Sequence, residues 1–461
     1  MSLVKVKVMV FYLSNFEKTL KSLLSFSFLL IIFDSYEIYE IPLSWLGSFL
    51  LTFIVFILLR KEEIKFNKLI FVCVLVGLLP TLFTFNNSLN SEDEIIYILL
   101  RIFSFISFAF TSFVISKSKY KEAVLVSLKS IFYIVIFVSL YLYIAQIFNL
   151  YEPFRNRPGT GILGFDQQNN FWISGSHRMV GTFREPVFLV SILFPIFLVI
   201  HFRNMNSIKF YIGAAFLFGL TKSELAFVLI IFLIFIDFLR KNIGLNNLVF
   251  YLIFFICFFI PIKECDISPS NIECPQYTTT DSVSSNQLET EEIENINESN
   301  ESTVTNQLNS VQFEDAERSD IISFSLDFIS LNSGFGFNNT NAIYTKHLSK
   351  NINHEMYLVN RTLPEYLKVK YLSEPLGTGR YFLTYENINI QNNLLFNTFS
   401  IGLIYLVFII LFLIYFFYKD FDQGLMYLIL VASISLASFE DLLPIFGLCI
   451  GLMFTMDRNE S

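Results

Sequence analysis

Apolar blocks of roughly 15 to 25 residues recur along the chain, the length a helix needs to cross about 30 Å of hydrocarbon. A segment in that medium meets no water, so its backbone polar groups must be satisfied internally. Composition points the same way: 54% of the 461 residues are hydrophobic, 16% are charged and 56 are Phe. Mean hydropathy is +0.57. The expected fold class is an all-α polytopic integral membrane protein. The N-terminus, MSLVKVKVMVFYLSNFEKTLK, carries charge but no small-residue cleavage site, so the first apolar block is expected to stay as an anchor.

About twelve transmembrane helices are expected, near 20–36, 41–59, 68–85, 94–116, 122–148, 186–203, 207–221, 224–240, 246–262, 394–418, 423–439 and 443–456. Lys and Arg are retained on the cytoplasmic side of short loops. Lys5, Lys7, Lys18 and Lys21 precede the first span, and RKEEIKFNK, KSKYK, RNMNSIK and RKN follow the second, fourth, sixth and eighth. The intervening loops DSYEIYEIP, NNSLNSEDE and FEDLLP hold no Lys or Arg, and TKSE holds one Lys. Both termini are therefore expected in the cytoplasm, with two long segments outside. The chain divides into a five-span bundle (1–148), a first outer loop (149–185), spans six to nine (186–262), a large outer loop between spans nine and ten (263–393), and the last three spans with a short tail (394–461).

Function is expected in the two outer segments. Residues 266–312 hold nine acidic residues and no Lys or Arg, and read as a spacer too poor in apolar residues to fold. They also account for the net charge of −8, because the rest of the chain has 31 acidic residues (40 less nine) against 32 basic ones. Overall charge therefore says little about partners, and no nucleic-acid partner is expected. Cys73, Cys257 and Cys449 lie in spans as small apolar residues, whereas Cys265 and Cys274 lie outside, where an oxidising compartment could pair them.

Seven of twelve arginines (155, 157, 178, 184, 318, 361 and 380) fall on the expected outer face, against six of twenty lysines. Arginine offers a fixed fork that grips phosphate or carboxylate with two hydrogen bonds, where lysine acts as a mobile point charge. An anionic ligand is one reading; pairing with lipid headgroups or loop carboxylates is the other. Arg178 and Arg184 stand out because they flank Gly181 in HRMVGTFREP, which begins with His177 and where Glu185 opens the next span. Arg101, inside the fourth span, is expensive there and could reach the same outer pocket. Glu224 is either a counter-charge to this cluster or an acid favoured at a helix N-terminus. Lys129 is expected to snorkel.

The large loop carries an echo. Arg318 with Gly334-Phe335-Gly336 and Arg361 with Gly377-Thr378-Gly379 repeat at an offset of 43 residues, as a duplicated unit or by coincidence. Neither G-x-G follows a strand and opens a helix, so neither reads as a dinucleotide fingerprint. Sparse acidic pairs and the absence of metal-ligand spacing argue against a metal enzyme.

The stretch Arg178-x-x-Gly181-x-Phe183-x-Glu185-Pro186, opening a span, resembles the bacterial O-antigen and capsule repeat-unit polymerases of the Wzy type. LTKSELAFVLIIF (220–232) resembles the family's Thr-x-Ser turn into a span, and residues 374–408 resemble the region where a Gly-x-Gly and a polar stretch close the large loop. The order of spans and loops resembles the wider polymerase and ligase superfamily. That resemblance implies a GT-C-like glycosyltransferase architecture in the bacterial inner membrane with its active site facing the periplasm. It also implies that a glycan on undecaprenyl diphosphate is transferred to a lipid-linked repeat unit. No cofactor is implied, neither nucleotide sugar nor metal, and the partners would be lipid-linked glycans, membrane lipid and a protein that regulates chain length.

Under this resemblance Arg178, Arg184 and Arg361 would contact diphosphate or glycan, with Arg101, His177, Arg380, Glu386, Gln391 and Asn392 as further substrate contacts. Glu185 would be either the base for the acceptor hydroxyl or the carboxylate that orients Arg184. His347 and His354 would be further titratable groups or merely solvated. In the ligase branch a His-Asn-x-x-Leu element closes the loop; here the register gives Gln391-Asn392-Asn393-Leu394-Leu395. Glutamine takes no proton as a base, which favours polymerase over ligase. A polysaccharide flippase or other transporter is the alternative from another class, and would be expected to show repeats among its spans and charges near the midplane.

Overall fold

The computed structural model describes residues 3–33, 37–38, 41–65, 68–84, 95–147, 178–183, 186–203, 207–241, 244–260, 334–340, 393–437 and 444–454. The regular structure among these residues is helical, apart from a two-residue antiparallel ladder in which Glu37 faces Pro42 and Ile38 faces Ile41. The described helices are α1 (Leu3–Ile32), α2 (Leu43–Lys61), α3 (Lys68–Thr84), α4 (Ile95–Lys117), α5 (Lys121–Ile147), α6 (Pro186–Phe202) and α7 (Ile208–Gly219). They continue with α8 (Glu224–Leu239), α9 (Leu245–Phe259), α10 (Asn393–Ile401), α11 (Ile404–Lys419), α12 (Phe421–Ser435) and α13 (Pro444–Met453). Proline opens α6 and α13, where its missing N–H breaks no intrahelical bond. Asp420 caps α12 by accepting from the Asp422 amide at 3.0 Å.

Three helices, Leu43–Lys61, Ile98–Lys117 and Lys121–Ala145, are long and apolar enough to cross a membrane, and seven further apolar helices of 10–17 residues accompany them. Large apolar side chains also face outward, Phe83 at 78% exposure and Phe137 at 75%. Such a surface suits hydrocarbon rather than water, and the protein is membrane-embedded. Many of the phenylalanines fill the interior. Phe197 of α6 stacks on Phe250 of α9 at 4.9 Å and on Phe210 of α7 at 5.9 Å.

The helix ends gather at two opposite ends of the bundle. At one, Glu62 after α2 accepts from the Ser118 hydroxyl (2.7 Å) and the Lys119 amide (2.8 Å) between α4 and α5. There too, Arg203 after α6 donates to Glu122 of α5 (2.8 Å) and to the Leu452 carbonyl of α13 (3.1 Å). At the other end, the Thr182 hydroxyl donates to the Ile32 carbonyl closing α1 (2.7 Å), the Met179 amide to Leu220 after α7 (2.9 Å), and the Asn393 amide to Ala437 after α12 (3.1 Å).

The apolar run 394–418, expected as one span, is two helices. α10 stops at Ile401 and α11 starts at Ile404, with Gly402 between them. A break in apolar surroundings persists only where the freed carbonyls find donors. Residues of the large loop supply them. The Gly334 and Phe335 amides donate to the Phe399 carbonyl (2.8 and 2.9 Å) and the Gly336 amide to Ser400 (2.9 Å). Phe337 is buried beside Phe396, its amide donating to Thr81 of α3 at 2.9 Å. The first G-x-G of the loop is therefore a helix cap. Its counterpart at 377–379, both linked arginines, and Cys265 with Cys274 lie outside the described residues; Cys73, Cys257 and Cys449 are free thiols.

Helix pairs approach closely where side chains vanish, as close packing between helices in lipid favours. α13 runs along α4 through Gly447 and Gly451. A Cβ at Gly447 would collide with the Phe108 carbonyl, and one at Gly451 would lie 2.7 Å from the Ser112 carbonyl. Neither obstacle is a side chain that can swing away. Gly447→Ala is expected to destabilise by about 1–3 kcal/mol, the usual cost of overpacking. At Gly244, by contrast, nothing lies within 4 Å of an added Cβ. Thermal unfolding in detergent checks the contrast: Gly447→Ala should melt clearly lower, Gly244→Ala close to the parent.

Candidate functional site

Residues 178–183 form a short non-helical segment set into the bundle end. Met179, Val180, Thr182 and Phe183 are all buried, and two of the hydrogen bonds just described tie the segment to α1 and α7. Gly181 has φ +63°, a backbone region costly for residues with a Cβ, and an added Cβ would strike the Ser139 hydroxyl of α5. The turn is thus wedged among α1, α5 and the end of α7, and it delivers Arg178 half-buried at the rim.

The partner of Arg178 is another cation. Lys222 lies in the α7–α8 turn with a left-handed backbone (φ +48°), and its ammonium donates to the Ile260 carbonyl that ends α9. Burial, and then the Arg178 charge, hold Lys222 below the ordinary lysine pKa, with the Cys257 thiol acting the other way. No hydrogen bond or ion pair to Arg178 occurs among the described residues. Two like charges held near one another, both half-buried, raise the free energy of the site unless an anion joins them. Loop counting had identified Lys222 only as one outer lysine.

Arg101 is positioned by different elements. It projects from α4, its guanidinium 5.0 Å from the ring centre of Phe396 on α10, a cation–π distance. Through Phe396 it lies against the cluster in which Phe396, Phe399 and Phe337 are buried with Leu78 of α3, whereas the segment that carries Arg178 is held by α1, α5 and the end of α7. Glu224 is exposed in the first turn of α8. His177, Arg184, Glu185, His347, His354, Arg361, Arg380, Glu386, Gln391 and Asn392 lie outside the described residues.

A third polar cluster, absent from the sequence reading, lies at the Arg203 end. Asp237 of α8 is fully buried and accepts from Tyr251 Oη (2.6 Å) and Asn247 Nδ2 (3.1 Å), both on α9. His201 of α6, 2% exposed, places Nε2 3.3 Å and 3.2 Å from the two carboxylate oxygens, and Nδ1 3.0 Å from Tyr211 Oη of α7. With the proton on Nε2 the imidazole donates to Asp237 and accepts from Tyr211. Four helices are thereby tied through one carboxylate. The signal was present as the second acid of ELAFVLIIFLIFIDFL, deep in the apolar run, but its partners come from two other helices, with Tyr211 of a third bonded to His201. Among the described residues no group of three or more His, Cys, Asp or Glu could hold a metal ion.

Comparison of the chain with protein-family models, with curated proteins and with solved structures returns no match.

Removing the Asp237 carboxylate strands three buried donors, a loss of about 3–5 kcal/mol by analogy with broken buried pairs. Tyr251→Phe removes one bond and is expected to lose about 1–3 kcal/mol. Thermal unfolding should therefore rank Asp237→Ala below Tyr251→Phe, and both below the parent.

Proposed function

We propose that the chain is a membrane-embedded glycosyltransferase that polymerises lipid-linked oligosaccharide repeat units of an O-antigen or capsular polysaccharide. It would transfer the growing chain from undecaprenyl diphosphate to a new lipid-linked repeat unit at the periplasmic face of the bacterial inner membrane. The observation that carries this reading is Arg178 beside Lys222 at one end of an apolar bundle, where a diphosphate on a lipid would emerge from hydrocarbon. In the transfer the anomeric C–O bond breaks and its electron pair leaves with the diphosphate. The acceptor hydroxyl forms the new bond and gives up its proton to a base, with Glu185 the candidate. Charge growing on the leaving group is stabilised by cations already in position. No metal or nucleotide sugar is required.

The arrangement proposed is GT-C-like, with twelve crossings and both termini cytoplasmic. The two groups of helix ends support it, α10 and α11 together making one crossing. In this arrangement Arg178 and Arg101 would lie at the periplasmic side and the Asp237 cluster toward the cytoplasm. A ligase that passes the finished chain to lipid A-core would use the same diphosphate chemistry. A transporter is favoured by one observation, the buried His201–Asp237 pair, since ionisable groups inside membrane helices often mark ion or proton paths.

Deleting the gene and resolving the surface glycan on a gel separates the three. Chains cut to a single repeat unit on the lipid core support polymerase, and uncapped core supports ligase. Loss of surface glycan with lipid-linked units retained inside supports transporter, and an unchanged length distribution excludes all three. In a complemented strain, Arg178→Lys is expected to shorten the chains, because lysine keeps the charge but not the two-pronged geometry.

A further inference from the structure

We propose that the Thr221-Lys222-Ser223 turn and the N-terminus of α8 form the second half of the anion site, with Lys222 and Ser223 contacting diphosphate oxygens opposite Arg178. This rests on the function proposed above, and it extends the site to a segment that the arginines alone did not identify.

Charge is the first ground. The bond from the Met179 amide to the Leu220 carbonyl brings Arg178 near Lys222, and each makes the other's charge more costly in a half-buried setting. A bridging dianion reverses the sign of both interactions. The ammonium has three protons; one goes to the Ile260 carbonyl, and that bond aims the group while two donors remain. Lys222 adopts a left-handed backbone at φ +48°, as Glu63 and Lys241 do after α2 and α8, a conformation that commonly ends a helix.

The Ser223 hydroxyl is the second and independent ground. Ser223 occupies the N-cap position of the sixteen-residue α8, where a serine normally accepts from the first-turn amides, yet it makes no such bond. It is 2% exposed and its oxygen has no hydrogen-bond partner among the described residues. The neighbouring Thr221 is occupied locally: its hydroxyl donates to the Phe218 carbonyl (2.6 Å) and accepts from the Ser223 amide (3.3 Å). A buried hydroxyl left unused at the positive end of a helix is a donor waiting for an anion. Two cations, a hydroxyl and a helix N-terminus together suit a ligand of more than one negative charge, which selects diphosphate over a sugar carboxylate. A phospholipid headgroup shares the phosphate chemistry and is separated by experiment.

The test uses the purified full chain in nanodiscs of phosphatidylcholine, titrated calorimetrically with inorganic diphosphate. Lys222→Met should weaken binding about tenfold or more, Ser223→Ala by about threefold, and Lys222→Arg by less than Lys222→Met, since a charge-assisted bond is worth more than a neutral one. Thermal unfolding of each variant identifies any that fails to fold, and Ser223→Ala and Lys222→Arg keep the test open if Lys222→Met does. Parent-like binding by the folded variants, or no binding by the parent, overturns the assignment. Nanodiscs of phosphatidylglycerol separate the sources: undiminished diphosphate binding supports the site as stated, and its loss to the lipid makes this a headgroup site. If the gene deletion shortens the glycan to single repeats while these variants bind normally, the polymerase reading stands and only this inference falls.

Discussion

Helix C-termini leave carbonyls that nothing in the helix can satisfy, and in an apolar bundle water does not satisfy them either. Much of the described structure answers that constraint. The end of α1 is met by the Thr182 hydroxyl, the end of α7 by the Met179 amide, and the end of α9 by the Lys222 ammonium. Gly334, Phe335 and Gly336 meet the end of α10, Asn393 meets α12 through its amide and side chain, and Arg203 meets α13. The donors come from non-helical segments, from a helix start and from cations at the membrane boundary. Capping and functional placement are therefore the same act: the bonds that close α1 and α7 hold Arg178 at the rim, and the bond that closes α9 holds Lys222 beside it.

This coupling has a consequence for rigidity. Residues 178–183 are buried among α1, α5 and α7, so the position of Arg178 is set by packed helices rather than by a free loop. The proposed diphosphate site would benefit from such support, because it would meet the ligand with little reorganisation. At the opposite end of the same helices, Asp237 ties α6, α7, α8 and α9 through His201, Tyr211, Asn247 and Tyr251. The unit that carries Lys222 is thus fastened at both ends, by carbonyl caps at one and by a shared carboxylate at the other.

Several features were readable before any coordinates. The run VFLVSILFPIFLVIHF predicts a helix because its backbone has no alternative partner, and α6 covers it. The uneven distribution of Lys and Arg among short loops predicted two sets of helix ends; Glu62 with Ser118 and Arg203 with Glu122 are contacts between ends assigned to the same set. The Gly181 turn beside Arg178 was readable from HRMVGTFREP. The division of 394–418 was not, because its cause lies some sixty residues away in the Gly334 segment, and hydropathy records only how apolar a run is.

Hydrophobic block length, a local quantity, determines that this chain is a helical membrane protein; loop charge predicts how its helix ends are grouped. Only the tertiary structure decided that Arg178 has a lysine near it, that Asp237 is satisfied by two helices besides its own, and that a G-x-G motif caps α10. Each of these depends on segments distant in the chain meeting in space, with the hydrogen bonds among them at about 3 Å, a coincidence that no local pattern encodes.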